Sequence, residues 1–447
     1  MPEPREHLLR RRGPTSELSR RRFLRASAST AIALPSLSAV LAACSKPGTE
    51  APEGATAPAG TTGPYPLART DNPVTLPIHD DIQPIEDNLP VETGATLKIY
   101  NWADYMWKKV INDFCEEFNC DYEWTTFNNM SEAIQKMSTG QVADVFFPTV
   151  DQLGKLTYGK LLQPLNLSYI PNLAANMWPQ YQNPFYDQEA RYTVPYTTYT
   201  TGVAYRRDVI PDEEAEAQGY DLIWNPQYSG KVGIYDDARE SLAMAMRRAG
   251  VDDVNTTDEA TIQAAKDDLV ELIDLVNVRT TINGVYVKLP DGVYDVHQSW
   301  SGDIIGAQWY LSDLNTPGET DILGYWYPPD NVGVVGNDVI SIPANAEHPV
   351  LAHAFLNFMM DETHAFDNFT WNGYQPPLTS MNPEKLIEAE MGAYAPNKGP
   401  GTVPPSVPRA VVTEEMFDKG MWLLELAPED ELKWQTAWEE FQAGAGA

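Results

Sequence analysis

From residue 95 onward, the apolar positions alternate between the spacing of a short buried strand and that of an amphipathic helix. Strands are predicted where apolar residues run together, and helices where they recur every three or four positions. These spacings predict strands at Leu97–Tyr100, Tyr122–Phe127, Ala143–Phe147, Val203–Tyr205, Val232–Tyr235 and Val339–Ile342, and helices at Met106–Phe118, Ser131–Met137, Arg239–Arg248, Glu259–Val276 and Pro349–Asp361. Strands separated by helices are typical of a parallel sheet with helical crossovers, so the pattern predicts an α/β protein.

The same alternation occurs twice, once before and once after about residue 202. Roughly 350 patterned residues suit two lobes of ordinary domain size. We predict that residues 95–201 and 337–383 form lobe 1, and that residues 202–336 and 384–447 form lobe 2. Ligands of such proteins lie beyond the carboxyl ends of strands and in clefts between domains, so a ligand cleft is expected between the lobes.

The first 44 residues differ in composition from the rest of the chain. They hold eight arginines against three glutamates, and residues 19–25 read Ser-Arg-Arg-Arg-Phe-Leu-Arg, followed by an apolar stretch from Ala26 to Ala43. A basic region, a short apolar region and then small residues are typical of an export signal. The run resembles the twin-arginine signal, which is read by a receptor. The alternative is a basic exposed tail beside a core helix; Pro35 and the many serines disfavour a membrane-spanning helix.

The apolar stretch ends in Leu-Ala-Ala-Cys at positions 41–44, which resembles a bacterial lipobox. That pattern implies that Cys44 becomes the lipidated first residue of the mature chain; the alternative is a lone buried cysteine. Residues 45–94 are rich in Pro, Gly, Thr, Ala and Glu, which predicts a flexible or partly extended tether. The expectation is an exported lipoprotein, at the cell surface or in the periplasm, that contacts the membrane through its lipid anchor only.

Acidic residues outnumber basic ones 63 to 31, which gives a formal net charge of −32 and a pI near 4.4. This balance excludes a general nucleic-acid binder, because such proteins need a basic surface that displaces counterions from phosphates. An acidic surface is also repelled by anionic lipid headgroups. The net charge by itself leaves three interpretations open: solvation, a halophilic habit, or attraction of cations.

Two cysteines remain in the body of the chain, Cys115 and Cys120. A disulfide across a helix end and a pair of buried thiols are both compatible with export and with this spacing. No further cysteine or nearby histidine completes a metal site, and His348, His353 and His364 lack the spacing of metal ligands. The sequence therefore predicts no metal and no cofactor.

Acidic and aromatic residues follow the predicted strands in four short motifs. They read Asn-Trp-Ala-Asp-Tyr at 101–105, Asp-Asp-Ala-Arg-Glu at 236–240, Trp-Ser-Gly-Asp at 300–303, and Gly-Asn-Asp at 336–338 just before Ser-Ile-Pro-Ala-Asn-Ala at 341–346. In this order they resemble the polyamine-binding proteins of bacterial ABC importers, the spermidine/putrescine receptor family, over about residues 95–377. The resemblance implies a two-lobed, type II periplasmic-binding-protein-like fold and a monomer that is not an enzyme. It also implies that the receptor closes over a small cationic polyamine and delivers it to an ABC permease and its ATPase.

The residue types agree with the chemistry of a linear polyamine, which is a chain of methylenes that carries ammonium groups. An ammonium removed from water needs compact, charged hydrogen-bond acceptors, and a carboxylate provides them. The methylenes need flat apolar walls, and a Trp or Tyr face adds a cation–π attraction of about 0.5–2 kcal/mol. Acids interleaved with aromatics at strand ends therefore suit a linear cation.

The resemblance also implies a role for each motif residue. Nine residues are expected to bind the ligand: aromatic walls at Trp102, Trp300 and Tyr105, carboxylates at Asp104, Asp237, Glu240, Asp303 and Asp338, and a hydroxyl at Thr149. Arg239 is expected to neutralise a neighbouring carboxylate, and Tyr196 to lie near the first crossing between the lobes. Simpler roles stay open, namely a core position for Trp102, helix caps for Asp104, Asp237 and Glu240, and turn positions for Asp303 and Asp338.

One position departs from the family pattern. A large aromatic residue commonly stands two residues before the carboxylate matched by Asp338, and here that residue is Gly336. Either one wall of the ligand channel is missing, or Trp326 or Tyr199 supplies it. The Trp-Ser-Gly-Asp motif favours a short diamine and the missing wall favours a bulkier solute, so the cognate amine stays open. The rival functions are a receptor for another cationic solute, a glycan-binding lipoprotein and a glycosidase with paired carboxylates.

Overall fold

The computed structural model describes residues 65–311, 322–387, 390–391, 401–402 and 407–445. In this part of the chain the strands are β1 (Thr96–Trp102), β2 (Asp121–Phe127), β3 (Val145–Phe146), β4 (Leu162–Gln163), β5 (Thr193–Arg206), β6 (Val232–Tyr235), β7 (Arg279–Thr281), β8 (Val296–Trp300), β9 (Leu323–Trp326), β10 (Val334–Pro343), β11 (Glu390–Met391), β12 (Gly401–Thr402) and β13 (Met421–Trp422). The helices are α1 (Lys108–Phe118), α2 (Met130–Ser138), α3 (Leu153–Tyr158), α4 (Pro171–Asn176), α5 (Pro179–Gln182), α6 (Asp212–Gln218), α7 (Ala238–Arg248), α8 (Glu259–Val276), α9 (Val285–Lys288), α10 (Ser301–Gly306), α11 (Pro349–Met359), α12 (Glu362–Asn372), α13 (Pro383–Ile387), α14 (Glu414–Lys419) and α15 (Pro428–Ala445). The α/β class predicted from the pattern is confirmed.

The main sheet is mixed rather than wholly parallel, which corrects the prediction. Its strand order is β2-β1-β3-β10-β5-β8-β6-β7. The strands β2, β1 and β3 pair in parallel, as do β8, β6 and β7. Between these two parallel blocks, β10 and β5 pair antiparallel with each other and with their outer neighbours β3 and β8. The alternation of strands and helices described the two blocks correctly, but it carries no information on the strands that join them.

The joining strands β5 and β10 are the longest in the sheet and connect its two blocks. The first half of β5 pairs with β10 and its second half pairs with β8, and Thr201 stands at the change of partner, opposite both Val334 and Trp300. The register between β5 and β10 shifts between Asp338 and Val339, which marks a bulge. The predicted lobe limits at 201 and 337 fall within these two strands; the exact lobe boundaries stay a prediction.

The helices cover the sheet with apolar faces that form two main clusters of buried side chains. In the first block, α1 buries Val110, Ile111 and Phe114, the residues that gave the predicted helix its spacing. In the second, α8 packs beside α7 and α15, and Trp434 of α15 is fully buried there. Asp258 caps α8 by accepting a hydrogen bond from the backbone N–H of Thr261, which fixes where that helix begins.

Residues 65–94 pack against the body of the protein, which differs from the flexible tether predicted for 45–94. The segment has little regular secondary structure, yet Leu67, Val74 and Leu76 are buried. Its backbone is held by hydrogen bonds such as that from Arg191 to the carbonyl of Leu76. Proline and glycine content indicated the absence of helix and strand, but the spacing of the apolar residues was too irregular to predict their burial.

Several predictions lie outside the described residues. These are the export signal of residues 1–44, the lipidation site Cys44 and the tether over residues 45–64. Among the helices that the structure describes, none combines the length and the apolar character required to cross a membrane.

Cys115 and Cys120 lie on either side of the end of α1 and are unbridged in this structure. Asn119 adopts a left-handed backbone conformation that turns the chain, and the two sulfur atoms lie 3.0 Å apart as thiols. Burial raises the pKa of the Cys115 thiol.

Candidate functional site

A cavity of about 480 Å³ opens where the strands of both parallel blocks end. All nine residues predicted to bind the ligand line it, namely Trp102, Asp104, Tyr105, Thr149, Asp237, Glu240, Trp300, Asp303 and Asp338. They come from the ends of β1, β3, β6 and β8 and from the joining strand β10, so they are distant in sequence and close in space. This is the region in which the carboxyl ends of strands in α/β proteins meet ligands.

Asp338 is buried on β10 next to the bulge, where its backbone bridges to Thr149. Its Oδ2 accepts a hydrogen bond from the Tyr105 hydroxyl at 2.7 Å. Its Oδ1 is buried and has no hydrogen-bond partner among the described residues. Burial raises the pKa of Asp338 to about 7, although the bond from Tyr105 acts in the opposite direction. The carboxylate therefore has one oxygen left for a donor that enters the cavity.

Glu240 lies in the first turn of α7 and is 6% exposed. Its Oε1 accepts a hydrogen bond from the indole N–H of Trp300 at 2.8 Å, whereas its buried Oε2 lacks a partner in the described part of the chain. Burial, and then the negative charge of Asp237, raise the pKa of Glu240 to about 8. The Trp300 indole and the nearby Thr201 hydroxyl oppose this rise.

Asp303, in α10, differs from these two carboxylates because both of its oxygens accept hydrogen bonds. Tyr235 and Tyr374 donate their hydroxyls to it at 2.9 and 2.8 Å. Burial raises the pKa of Asp303 to about 6, and the two tyrosine hydroxyls act against the rise. Ionised, Asp303 would still attract an ammonium, with the two phenols fixing its orientation.

For Asp237 and Asp104, the alternative to ligand binding was a helix cap, and the structure gives a different answer for each. Asp237 is the N-cap of α7, and its side chain accepts hydrogen bonds from the backbone N–H groups of Arg239 and Glu240. Asp104 does not cap α1, which begins after Trp107. It is exposed at the cavity wall and accepts the hydroxyl of Tyr286 at 2.8 Å. Asp237 thus combines the capping role with a place in the cavity.

Aromatic rings form the walls. Trp300 stacks on Tyr235 with ring centroids 3.9 Å apart and an angle of 21° between the planes. Trp102 packs on Phe127 at 4.6 Å, and its buried indole N–H has no partner among the residues the structure describes. Tyr105 meets the edges of Tyr196 and Tyr374. Packing against other rings holds these side chains in place, so the cavity is preformed.

Tyr199 supplies the wall that Gly336 lacks. The two residues are opposite each other in the β5–β10 pair, and a Cβ atom added to Gly336 would lie 2.8 Å from the Tyr199 ring. Tyr199 lines the cavity and packs near Trp300 and Tyr374. The other candidate, Trp326, is buried against Tyr220 and does not line the cavity. Glycine at 336 therefore leaves room for a ring that comes from the neighbouring strand.

Arg239 forms no salt bridge with a carboxylate in the described part of the chain, although its charge acts on the neighbouring Asp237 and opposes the rise that burial causes in the pKa of that acid. Its guanidinium donates to the carbonyl of Leu424 and to the side chain of Asn255, and it lies 4.7 Å from the ring of Trp434. The capping role of Asp237 explains why these two residues form no salt bridge. Its side-chain oxygen accepts from the backbone N–H groups at the start of α7 rather than from the guanidinium.

Several cavity residues were missed in the sequence. They are Asp151, Tyr286, Tyr310, Trp371, Tyr374, Gln435, Trp438 and Gln442. Gln435, Trp438 and Gln442 lie on the terminal helix α15, whose amphipathic pattern gives no sign that its polar side faces a cavity. Only Asp151 had a usable signal, since it stands two residues after the predicted Thr149. No cluster of His, Cys, Asp or Glu within the described ranges has the arrangement of a metal site.

Known proteins resemble this chain in sequence and in fold. The spermidine/putrescine-binding periplasmic protein of Escherichia coli K12 is 26% identical over 302 residues, which are 67% of this chain and 82% of the relative. The putrescine-binding periplasmic protein PotF of the same strain is 25% identical over 330 residues, which are 70% and 85% of the two chains.

Two solved structures share the fold. One is a spermidine/putrescine ABC transporter protein of Listeria monocytogenes (TM-score 0.64, 23% identity). The match covers 78% of this chain and 98% of the Listeria chain. The other is the TpPotD lipoprotein of Treponema pallidum (TM-score 0.62, 20% identity). This match covers 77% of this chain and 99% of the Treponema chain. Both confirm the two-lobed, type II binding-protein architecture.

The family profile described as bacterial extracellular solute-binding protein matches residues 109–394, well over half of the chain. Members of this family bind solutes for transport and are not enzymes, which agrees with a preformed cavity built from hydrogen-bonded carboxylates and packed rings. The chain belongs to the bacterial extracellular solute-binding protein family.

Proposed function

We propose that this protein is an extracytoplasmic receptor that captures linear polyamines of the putrescine and spermidine type and delivers them to an ABC import permease driven by its ATPase. The names of the relatives that match two thirds or more of the chain, spermidine/putrescine-binding and putrescine-binding periplasmic proteins, support this assignment. Identity of 25–26% is too low for the ligand to be carried over by similarity alone, so the argument rests on the cavity.

The observation that carries the proposal is a pair of buried carboxylate oxygens without a partner. Glu240 Oε2 and Asp338 Oδ1 both lie in residues that line the cavity, and neither has a hydrogen-bond partner in the part of the chain that the structure describes. A buried acceptor left without a donor costs about 1–3 kcal/mol, and more when it is charged. Ammonium groups would remove this cost, because each brings a positive charge and three N–H donors.

The aromatic walls fit the rest of such a ligand. Trp102, Tyr199 and Trp300 line the cavity, and methylenes between ammonium groups can lie against their rings. The cation–π attraction at each ring is about 0.5–2 kcal/mol. A neutral oligosaccharide would also stack on these rings, but its hydroxyls carry no charge to offset several buried carboxylates.

Closure of the two lobes over the ligand distinguishes the liganded receptor from the empty one. The joining strands β5 and β10 carry Tyr199 and Asp338, so the ligand would contact the same strands that connect the two blocks of the sheet. A ligand favours the closed state only to the extent that it binds that state more tightly than the open one. Carboxylates and rings contributed by both blocks provide this difference.

A thermal-shift panel tests the proposal. The exported protein is heated with putrescine, spermidine, an uncharged diol of the same length and a neutral oligosaccharide. A ligand at 100 times its Kd stabilises a protein by about 2.7 kcal/mol, so the amines are expected to raise Tm by several degrees and the diol and the sugar by none. A shift with the sugar and none with the amines would contradict a polyamine receptor.

The lipid anchor at Cys44 is a separate part of the proposal. Its support is the lipobox-like run at positions 41–44, which follows a twin-arginine-like signal. Mass spectrometry of the exported protein should find a diacylated N-terminal peptide that begins at Cys44, and Cys44→Ser should release the protein from the membrane fraction. A mature chain that begins upstream of Cys44, or an unmodified Cys44, would contradict it.

A further inference from the structure

Two side-chain hydrogen bonds connect the two parallel blocks of the sheet at the wall of the cavity. Tyr286 of α9 donates its hydroxyl to Oδ2 of Asp104, which follows β1, at 2.8 Å. Asn283, in the loop between β7 and α9, donates its side-chain amide to Oδ1 of Asn128, which follows β2, at 3.0 Å. All four residues line the cavity. We call the pairs Asp104–Tyr286 and Asn128–Asn283 the clasp.

The second-block side of the clasp is held in place by its own contacts. The backbone carbonyl of Asn283 accepts hydrogen bonds from the hydroxyl of Thr281 and the ammonium of Lys288, and this ammonium also donates to the Thr281 oxygen. The ring of Tyr286 packs near that of Tyr310, with centroids 5.4 Å apart. Burial, and then the bond to Asp104, raise the pKa of the Tyr286 hydroxyl, so it keeps its proton and remains a donor.

Asp104 differs from the buried acids of the cavity. It is exposed, and one of its oxygens is already bonded to the Tyr286 hydroxyl. An exposed carboxylate stays hydrated and gains little from an ion pair, whereas buried acids such as Glu240 and Asp338 gain more from an ammonium. Its backbone is left-handed, with φ of 52°, a conformation that Asp and Asn tolerate better than other side chains do. These features suit a contact between the blocks better than a ligand carboxylate.

A further link between the two parts of the chain lies beside buried groups. Lys155 of α3 forms a salt bridge with Glu431 of α15, a helix that packs on α7 and α8. Gly154, the neighbour of Lys155, donates its backbone N–H to Glu425, which is 5% exposed. Parting of this link would disturb that buried contact. In each clasp pair, by contrast, the first-block residue is exposed.

We propose that the clasp sets the affinity of this receptor by stabilising the closed form, and that Asp104 and Tyr286 act on each other rather than on the ligand. The inference rests on the proposed function, in which the lobes close over a ligand, and names the residues that bias this closure.

The clasp should affect all ligands equally. Its hydrogen bonds join protein groups, so they contribute the same free energy to closure whatever amine lies in the cavity. The apparent Kd depends on the population of the form that binds, so a weaker clasp raises every Kd by one common factor. A residue that contacts the ligand would instead change the affinities of a diamine and a triamine by different factors.

Tyr286→Phe tests the clasp by the removal of one hydroxyl. Calorimetry on the exported protein should show putrescine and spermidine both weakened about fivefold, the size expected for one hydrogen bond. Small-angle X-ray scattering should show a larger radius of gyration than the wild type without ligand and the same radius at saturation. Tyr122→Phe, on β2 outside the cavity, is the matched control and should change neither measurement.

Variants of Asp104 separate a clasp residue from a ligand carboxylate. Asp104→Asn keeps an acceptor oxygen and the left-handed backbone but loses the charge, so it should weaken amine binding less than threefold. Asp274→Asn, at an exposed position of α8, controls for the change in net charge. Asp104→Gly removes the acceptor, and combined with Tyr286→Phe it should weaken binding no further than either change alone, because both break one bond.

The outcomes distinguish failure of the clasp from failure of the receptor. Unequal effects of Tyr286→Phe on the two amines, an unchanged ligand-free radius, a loss above tenfold in Asp104→Asn, or additive losses in the double variant would overturn the clasp and leave the polyamine receptor standing. If the wild type binds neither amine, the proposed function fails, while the scattering of the ligand-free proteins still tests the clasp. Circular dichroism and Tm establish that each variant is folded.

Discussion

Two buried acids of this protein show how similar residues have different roles. Asp187 is fully buried, and its oxygens accept backbone N–H groups of Arg191, Tyr192 and Thr193, so its donors come from its own loop. Asp338 is also buried and lines the cavity, but its Oδ1 has no hydrogen-bond partner among the described residues. The first acid holds a loop in shape, and the second has an acceptor oxygen that a cation would satisfy under the proposed function. The motif around Asp338 marks it as a candidate ligand in the sequence, but the donors available to each acid depend on which groups the fold brings near.

Amine binding should depend on pH in the neutral range. In the empty cavity the pKa of Asp338 is about 7 and that of Glu240 about 8, both raised chiefly by burial, so both acids are partly protonated at pH 7. An ammonium stabilises the ionised form, so its binding lowers these pKa values and releases protons. Affinity should therefore rise from pH 5.5 to about 8.5 and then level off, since the amines keep their protons there.

Titration calorimetry in buffers of different ionisation enthalpy measures the proton release directly. The heat at pH 7 should vary with the buffer for the wild type and vary less for Glu240→Gln, which cannot release its proton. A heat that is independent of the buffer at pH 7 would contradict the assignment of these two acids to the site.

The same raised pKa of Glu240 should lower the stability of the empty protein as pH rises. The folded pKa of about 8 lies above the ordinary value of 4.5, so the contribution of this group to stability is fully present below pH 4.5 and is lost as pH rises to about 8. Glu240→Gln should therefore gain stability relative to the wild type across this window, by at most about 1.4 kcal/mol per pH unit. Denaturant unfolding at pH 5, 6.5 and 8 measures the free energy of unfolding of both proteins. If the difference between Glu240→Gln and the wild type stays constant with pH, Glu240 is not a buried group that titrates in this range.

At the scale of elements, the joining strands combine the connection between the sheet blocks with the ligand wall. Strand β5 provides Tyr199, and β10 provides Gly336 and Asp338 with the bulge after Asp338. The motif around Asp338 could be found in the sequence, and the missing aromatic residue at 336 could be noted. The replacement ring could not be chosen between Tyr199 and Trp326, because the choice depends on the register of two strands that are about 140 residues apart.

Gly336→Ala should disturb this wall while leaving the rest of the cavity intact. The added methyl group would lie 2.8 Å from the Tyr199 ring, so the ring must move. Overpacking of this kind costs about 1–3 kcal/mol, and we expect a lower Tm together with at least fivefold weaker amine binding. Gly94→Ala controls for the loss of a glycine, since no atom lies within 4 Å of its added Cβ and only its positive φ adds strain. Unchanged amine affinity in Gly336→Ala would show that Tyr199 is not a ligand wall.

The segment of residues 65–94 acts as a strap that ties distant parts of the chain together. At its start, the hydroxyl of Tyr65 donates to Glu425 at 2.7 Å, and the ring of Tyr65 stacks on Tyr158 of α3. Glu425 is 5% exposed and also accepts the backbone N–H of Gly154. At its other end, Glu92 accepts the backbone N–H groups that begin α11. The strap thus connects the early helix α3 with the C-terminal segment.

Tyr65→Phe should weaken this connection through the loss of one hydrogen bond to a buried carboxylate. Burial already raises the pKa of Glu425 to about 7, and the hydroxyl of Tyr65 opposes that rise. Without the hydroxyl we expect a loss of about 1–3 kcal/mol in the free energy of unfolding at pH 8, and a smaller loss at pH 5.5, where Glu425 is protonated. Denaturant unfolding at the two pH values measures it. Equal losses at both pH values would contradict an ionised Glu425 as the partner.

At the scale of the whole molecule, the sequence predicted the α/β class, most elements and all nine cavity-lining motif residues, because periodicity and strand-end motifs are local signals. It did not predict the antiparallel joining strands or the burial of residues 65–94, which depend on contacts between distant segments. It also missed the contribution of α15 to the cavity for the same reason. Most of the acidic residues behind the net charge of −32 are solvated at the surface, and a few carboxylates lie together at one cavity. There they can attract cations and raise the association rate at low salt.

The most direct test of the central claim is a calorimetric titration of the wild type and Asp338→Ala with spermidine at pH 8 and low salt. The account predicts one site of micromolar or tighter affinity for the wild type. It predicts a loss of more than about 1.5 kcal/mol, or more than tenfold in Kd, for Asp338→Ala, since a charged hydrogen bond in the cavity is removed. Asp291→Asn is the control that removes a charge at an exposed position outside the cavity, and it should bind spermidine as the wild type does. Equal affinity of the wild type and Asp338→Ala, or heat only with a neutral sugar, would contradict the claim that this cavity is a polyamine site.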